Sequence, residues 1–371
     1  MNIDLTPDHK ELAAAAREFL RTECPPSRVR TAWDADRAVD RSAWARLAEV
    51  GFLGVVVPEC FGGLGQSDLE LALLLEEAGR VALPDPLLET AVAALTIADM
   101  GSDRQKERWL PAIAAGELVA TIQPPGAPFA VVDRSFDLVV VAIKDSLHAV
   151  PVSDCDIEAH EAYDRARRLA TVHAQASADT VLPGSTGRAD WLAVRASVAA
   201  AATLVGIGAH LVEATVDYAR QREQFGRPVG SFQAVKHQLS NAYLAVEFAR
   251  PATWVAAHLV ASGSAEAPTA AAVAKSCASE AEKSANDSAL QCHGGIGFTW
   301  EHDLHLWLKR GKALEQAYGT GREHRARIAQ TIFGPLGRVK PTTPVLPGAS
   351  RRSSATSSMT SQRGYTNSRE R

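Results

Sequence analysis

Arg222, Phe225 and Gln233 form a short series of groups that could hold a phosphorylated aromatic ligand. A guanidinium at a helix end can grip a pyrophosphate through two parallel hydrogen bonds. Phe225 offers a flat apolar face to a ring system. The Gln233 carboxamide both donates and accepts. A second block, Gln291-Cys292-His293-Gly294-Gly295-Ile296-Gly297, has glycines that let a backbone approach a ligand closely. Taken singly, each residue has a plainer reading. Arg222 could make a surface ion pair, Phe225 could be core, and a Gly-Gly turn could be only a loop.

The elements that must position these groups are mostly helical. Thr6 is placed to cap a first helix with Pro7 at its first position, and Asp8 and Glu11 suit the positive end of its dipole. Ser42–Val50 and Asp68–Gly79 show helical spacing of apolar residues. Between them, Val55 to Gly65 is a breaker-rich loop. Residues 119–189 change character, with β-rich runs such as Leu138–Ile143 and His148–Val152 separated by turn residues. Asp190 is expected to cap a long Ala-rich helical region that continues to about Thr331. Within it, the helix carrying Tyr218, Arg222 and Phe225 should end at Gly226, with Pro228 just beyond, and Thr299-Trp300-Glu301 should begin another. The expected division is a helical unit over 1–118, a short β-rich unit over 119–189, a helical bundle over 190–333, and a disordered Pro/Ser/Arg-rich tail over 334–371.

Composition narrows the function classes. The 371 residues are 46% hydrophobic and 22% charged, as in ordinary globular proteins. A net charge of -4 gives no reason to expect nucleic acid or an anionic membrane as partner. No uninterrupted apolar run reaches the roughly 18 residues of a membrane span. The polar, acidic N-terminus argues against a signal peptide. Five irregularly spaced cysteines read as reduced thiols in a cytoplasmic protein, without a zinc pattern.

Together the run Ala219-Arg220-Gln221-Arg222-Glu223-Gln224-Phe225-Gly226-Arg227-Pro228, its continuation Ser231–His237, and the block Gln291–Thr299 resemble the C-terminal signature of the acyl-CoA dehydrogenase family. Gly51–Val55 and Pro58–Gly65 fit the N-terminal part of the same family. The resemblance implies a mainly α fold with a small β middle domain and a C-terminal four-helix bundle. It implies FAD as cofactor, with Arg222, Phe225, Gln233, Gln291 and Gly295 binding the adenosine diphosphate end of a flavin seated mainly on a neighbouring subunit. The implied reaction is α,β-desaturation of an acyl-CoA thioester. A glutamate takes the α-proton and the β-hydrogen leaves as hydride to flavin.

The chain departs from that pattern at both places where the family carries its base. Tyr318 stands in one, within Ala317-Tyr318-Gly319-Thr320, and Ala196 in the other, followed by Ser197. A tyrosine, with a pKa near 10, is a poor base for this step. Glu315 is the one nearby candidate for a displaced base. The middle segment reads Ala120-Thr121-Ile122-Gln123-Pro124-Pro125-Gly126, without the family's glutamate, and has no tryptophan between Trp109 and Trp191. The chain therefore keeps the half-site it lends and lacks its own. That combination resembles the non-catalytic subunit of actinobacterial α2β2 steroid side-chain acyl-CoA dehydrogenases. It implies a catalytic partner subunit that binds most of the acyl-CoA, and electron-transfer flavoprotein or a similar acceptor. A self-sufficient homotetramer and a flavin-free scaffold are the competing expectations.

Overall fold

Helix-forming signals at the start of the chain are met closely in the computed structural model, which describes residues 5–334. Helix α1 spans Pro7–Glu23. Thr6 Oγ1 accepts the His9 N–H at 3.3 Å, and His9 Nδ1 accepts the Thr6 N–H at 3.2 Å. His9 Nε2 is thereby left to donate to Glu70, 2.9 Å away. Helices α2 (Pro26–Asp34), α3 (Arg41–Glu49), α4 (Asp68–Arg80), α5 (Leu87–Met100) and α6 (Asp103–Ala114) follow. Ser67 and Ser102 cap α4 and α6 with reciprocal bonds to Glu70 and Gln105. Helix α5 is apolar on nearly every side and is buried accordingly.

Six short strands come next: β1 (Ala120–Gln123), β2 (Ala130–Val131), β3 (Leu138–Ile143), β4 (Ser146–Pro151), β5 (Asp156–His160) and β6 (Leu169–His173). They form two three-stranded sheets, β1-β3-β4 and β2-β6-β5. Strand β1 runs parallel to β3, with Ile122 opposite Val140, and all other pairings in these sheets are antiparallel.

Helix α7 runs from Asp190 to Gln221, α8 from Gln233 to Ala261 and α9 from Ala267 to His293. Helices α10 (Leu304–Gln316) and α11 (Gly321–Phe333) complete the bundle. Helix α7 is long and apolar enough to cross a membrane by composition, but 94% of that stretch is buried inside the protein. It meets α4 backbone to backbone. A Cβ on Gly206 would lie 1.8 Å from the Glu76 carbonyl oxygen, and one on Gly79 2.2 Å from that of Thr203.

Three local expectations are corrected. Asp190 does not cap α7; it is the first helical residue, and Ala189 precedes it without a side-chain bond. Helix α7 stops at Gln221 rather than Gly226, because Glu223–Gln224 (β7) pairs with Arg227–Pro228 (β8) in a hairpin. Thr299-Trp300-Glu301 starts no helix; a 3-10 turn covers Gly294–Phe298 and α10 begins only at Leu304. The tail expected over 334–371 lies, after Gly334, outside the described residues.

Glu282 of α9 sits wholly buried against α10, where Gly311 leaves room for it. Asn286 Nδ2 donates to its Oε1 at 3.1 Å, while Oε2 has no partner among the described residues. Burial pushes its pKa up from 4.5 to about 7. Because the folded value is the higher one, the stability tied to its proton is complete below pH 4.5. It is lost as pH rises to about 7. Glu282→Gln mimics the protonated acid. Its urea-unfolding free energy should therefore stay flatter over that pH range, where wild type declines by up to about 1.4 kcal/mol per pH unit. Parallel profiles for the two proteins would show that Glu282 is already ionised in the fold.

Candidate functional site

The Arg222 hairpin is built by a break in α7. The Arg222 N–H still donates to the Tyr218 carbonyl at 2.8 Å, but Arg222 itself is extended. The hairpin turn is Phe225-Gly226, with φ of +55° and +77°. Two-residue turns of this left-handed kind favour Asn-Gly, and a bulky aromatic there is strained. Phe225 is nonetheless 93% exposed, so it is not core. Its ring meets Phe232 edge-on at 6.2 Å, and Arg227 lies over the Phe232 face at 4.1 Å. Gly230 presses the following loop back against Ala219. Gln233 then opens α8, exposed.

The second block lies beside the first. Tyr218, one turn before Arg222, stacks on His293 with ring centroids 4.2 Å apart. His293 ends α9 and hands the chain to Gly294 (φ +63°) and Gly295. A Cβ at either glycine would meet nothing within 4 Å among the described residues. Gln291 and Gly295 are exposed. Arg220 pairs with Asp217, whereas Arg222 is exposed and makes no ion pair among the described residues. The guanidinium, the ring and the open backbone are thus presented outward on one side of the bundle.

The segments carrying the two positions aligned with a base also meet, through Ser197 and Tyr318. Ala196 is buried on α7. Beside it, Ser197 Oγ donates to the Tyr318 carbonyl at 3.1 Å. Tyr318 holds a left-handed turn (φ +58°) between α10 and α11. Lys275 of α9 fixes this turn, donating to the carbonyls of Glu315 and Gly319 at 3.1 and 3.0 Å. Burial lowers the Lys275 pKa to about 8, against the smaller upward pull of the Glu315, Glu282 and Glu323 charges. The Glu315 carboxylate is bonded to Lys312 at 2.8 Å, on its own helix.

What surrounds the Tyr318 phenol was not anticipated. Its hydroxyl donates to Glu89 Oε1 at 2.8 Å, and Arg167 Nη2 lies 3.0 Å from the same oxygen. Glu89 and Arg167 are both buried. Burial, then the Glu89 charge, push the Tyr318 pKa well above 10. Next to this cluster, Asp164 accepts from Trp33 Nε1 at 3.1 Å and pairs with Arg310, which also donates to the Leu83 carbonyl. One signal was available in the sequence. Glu89 is a lone acid in the first turn of an otherwise apolar helix, and such an acid requires a buried partner. Nothing in the sequence marked Arg167 as that partner.

Tyr318→Phe should cost stability, not chemistry. It removes one donor from Glu89 and leaves the Arg167 pair intact, so a loss of about 1–3 kcal/mol is expected in thermal or urea unfolding. Turnover of a complete enzyme containing the variant should be nearly unchanged. A fall of several hundredfold would assign Tyr318 a proton-transfer role.

Helical units flanking a small two-sheet unit, with an arginine–aromatic hairpin on the outer bundle, are the arrangement the sequence resemblance led one to expect of a flavin-dependent dehydrogenase. Residues 6–117 match the family model of the acyl-CoA dehydrogenase N-terminal domain, and residues 193–333 that of the C-terminal domain. The acyl-CoA dehydrogenase IpdE2 of Mycobacterium tuberculosis is 34% identical over 334 residues, covering 88% of this chain and 98% of that protein. IpdE2 of Mycolicibacterium smegmatis is 32% identical, with 89% and 100% covered. Among solved structures, a variant of the steroid ACAD Tcur3481–Tcur3483 superposes with a TM-score of 0.81 at 28% identity, covering 88% of this chain and 98% of the other. The ChsE4–ChsE5 complex of Mycobacterium tuberculosis gives the same score at 24% identity, covering 91% and 100%, and shares the fold. The chain belongs to the acyl-CoA dehydrogenase family of FAD-binding oxidoreductases.

Proposed function

We propose that this chain is the non-catalytic subunit of a heteromeric acyl-CoA dehydrogenase, lending FAD-binding residues to a catalytic partner. A single observation carries the reading. The groups that would grip FAD are exposed, Arg222 having no ion pair among the described residues, while both base positions lack a carboxylate, Ala196 being buried and the Tyr318 hydroxyl held by buried Glu89. Arg222 would hold the diphosphate through charge-assisted bonds. Phe225 would pack against the adenosine end. Gln233, Gln291 and the open backbone at Gly295 would supply polar contacts. When bound, FAD supplies the hydride acceptor; the acyl-CoA and the base belong mainly to the catalytic partner. The shortened middle segment agrees with this division, having no tryptophan to wall off a flavin ring of its own. The proposed domain boundaries, near residues 118 and 189, are supported by the extents of the two family-model matches.

The substrate class of this reading is the CoA thioester of a steroid side chain, in an α2β2 assembly. Its support is the similarity to the steroid ACAD Tcur3481–Tcur3483. Electron-transfer flavoprotein or a similar acceptor would reoxidise the flavin. Neither nucleic acid nor a membrane has a place in the reading.

Expression alone and with a catalytic partner tests it, with flavin read by absorbance. Little FAD is expected in the chain alone, and about one FAD per pair of unlike subunits after co-expression. Stoichiometric FAD with desaturation by the chain alone would establish a self-sufficient enzyme with a displaced base. No flavin even in the complex would establish a scaffold.

A further inference from the structure

Two rings join the ends of the helices that carry the lent groups. Tyr218 lies in the last turn of α7, and the Arg222 N–H donates to its carbonyl at 2.8 Å. His293 is the last residue of α9, directly before Gly294 and Gly295. Their ring centroids are 4.2 Å apart and their planes 19° apart. His302 closes the group, edge-on to His293 at 4.9 Å and to Tyr218 at 6.4 Å. Both imidazoles are anchored. His293 Nδ1 lies 2.8 Å from the Ala289 carbonyl, which can only accept, so that nitrogen carries a proton. His302 Nδ1 accepts the Leu304 N–H at 3.1 Å.

Along their middles α7 and α9 pack through small residues. A Cβ on Gly208 would lie 3.6 Å from the Glu282 Cα. Toward their ends that packing gives out. Among the described residues, Ala219 is the only fully buried side chain of α7 after Thr215, and His293 the only one of α9 after Ala289. We infer that the Tyr218–His293 stack is a positioning clamp for FAD, setting the spacing between Arg222 and the open backbone at Gly294–Gly295. A guanidinium makes two parallel bonds to a phosphate only in a narrow range of geometries, so a small drift of one helix end loses bonds without removing any contacting group. Tyr218 and His293 thus act through Arg222 and Gly295 and need not touch the flavin.

The inference rests on the reading that this chain lends the half-site to a partner. Flavin retention by the intact complex tests it, read as fluorescence released on dilution. Tyr218→Leu should weaken FAD binding about 10-fold, whereas Tyr218→Phe, which keeps the stack, should stay within about twofold of wild type. In a cycle with Arg222→Ala, Tyr218→Leu should add less than about threefold, because no guanidinium is left to place. Full additivity would overturn the clamp, since a merely structural defect would act regardless of Arg222. FAD held as tightly by Tyr218→Leu as by wild type would also overturn the clamp, and would leave the subunit reading intact. His293→Leu removes the same stack from the other helix and should match Tyr218→Leu. If one of the two does not assemble, the other decides. If neither assembles, the stack is a requirement of the fold and its assignment to the flavin site is overturned. A wild-type complex without FAD would overturn the subunit reading, and the clamp with it.

Discussion

Arg167→Ala should lower the unfolding free energy of this chain by about 3–5 kcal/mol, the cost of leaving a buried charge without its partner. Glu89 would remain between α5 and the α10–α11 turn, with the Tyr318 hydroxyl alone to answer its charge. A buried carboxylate with one neutral donor is poorly compensated, since desolvation is not matched by an opposite charge. The double variant Glu89→Gln with Arg167→Met should recover most of the loss. Replacing both members of a buried pair by groups of similar volume is often neutral. Urea unfolding of the single and double variants, taken as a cycle, reads the coupling directly. A single-variant loss below about 1 kcal/mol would mean that water reaches Glu89 and that the pair is effectively a surface one.

Arg222→Ala should weaken FAD retention in the heteromeric complex by about 1.5–3 kcal/mol for each charge-assisted bond lost, or roughly 10- to 150-fold in affinity. The fold of the chain should not suffer, because Arg222 is exposed and pairs with no carboxylate among the described residues. The two effects separate cleanly. Melting of the isolated chain should be unchanged, while flavin released on dilution of the complex rises. Arg222→Lys should restore part of the affinity, since an ammonium keeps the charge but loses the planar fork. Equal flavin retention in wild type and the alanine variant would remove Arg222 from the cofactor site.

Much of the scaffold was legible because its signals are local. The Thr6 cap, the apolar spacing of α4, and the β-branched run of β3 each specify an element within one short window. The ends of α7 and the start of α10 were misplaced for the converse reason. The hairpin that stops α7 forms only when β8 folds back onto β7, and Phe225 adopts a backbone conformation that no local preference would assign to it. The buried cluster was only partly legible on the same ground. Glu89, Arg167 and Tyr318 come from three distant parts of the chain; Glu89 alone signals the need for a partner, and nothing local marks Arg167 or Tyr318 as meeting it.

The sequence by itself determined the family resemblance, the series Arg222, Phe225, Gln233, Gln291 and Gly295, and the loss of a carboxylate at positions 196 and 318. These are statements of residue type at a spacing, which chain order preserves. Only the tertiary structure decided that the first set faces outward beside the Tyr218–His293 stack, and that Tyr318 is bound to a buried acid. Exposure and ion pairing are properties of the packed chain. Burial makes an unpaired charge costly, so folding itself brought Glu89 to Arg167.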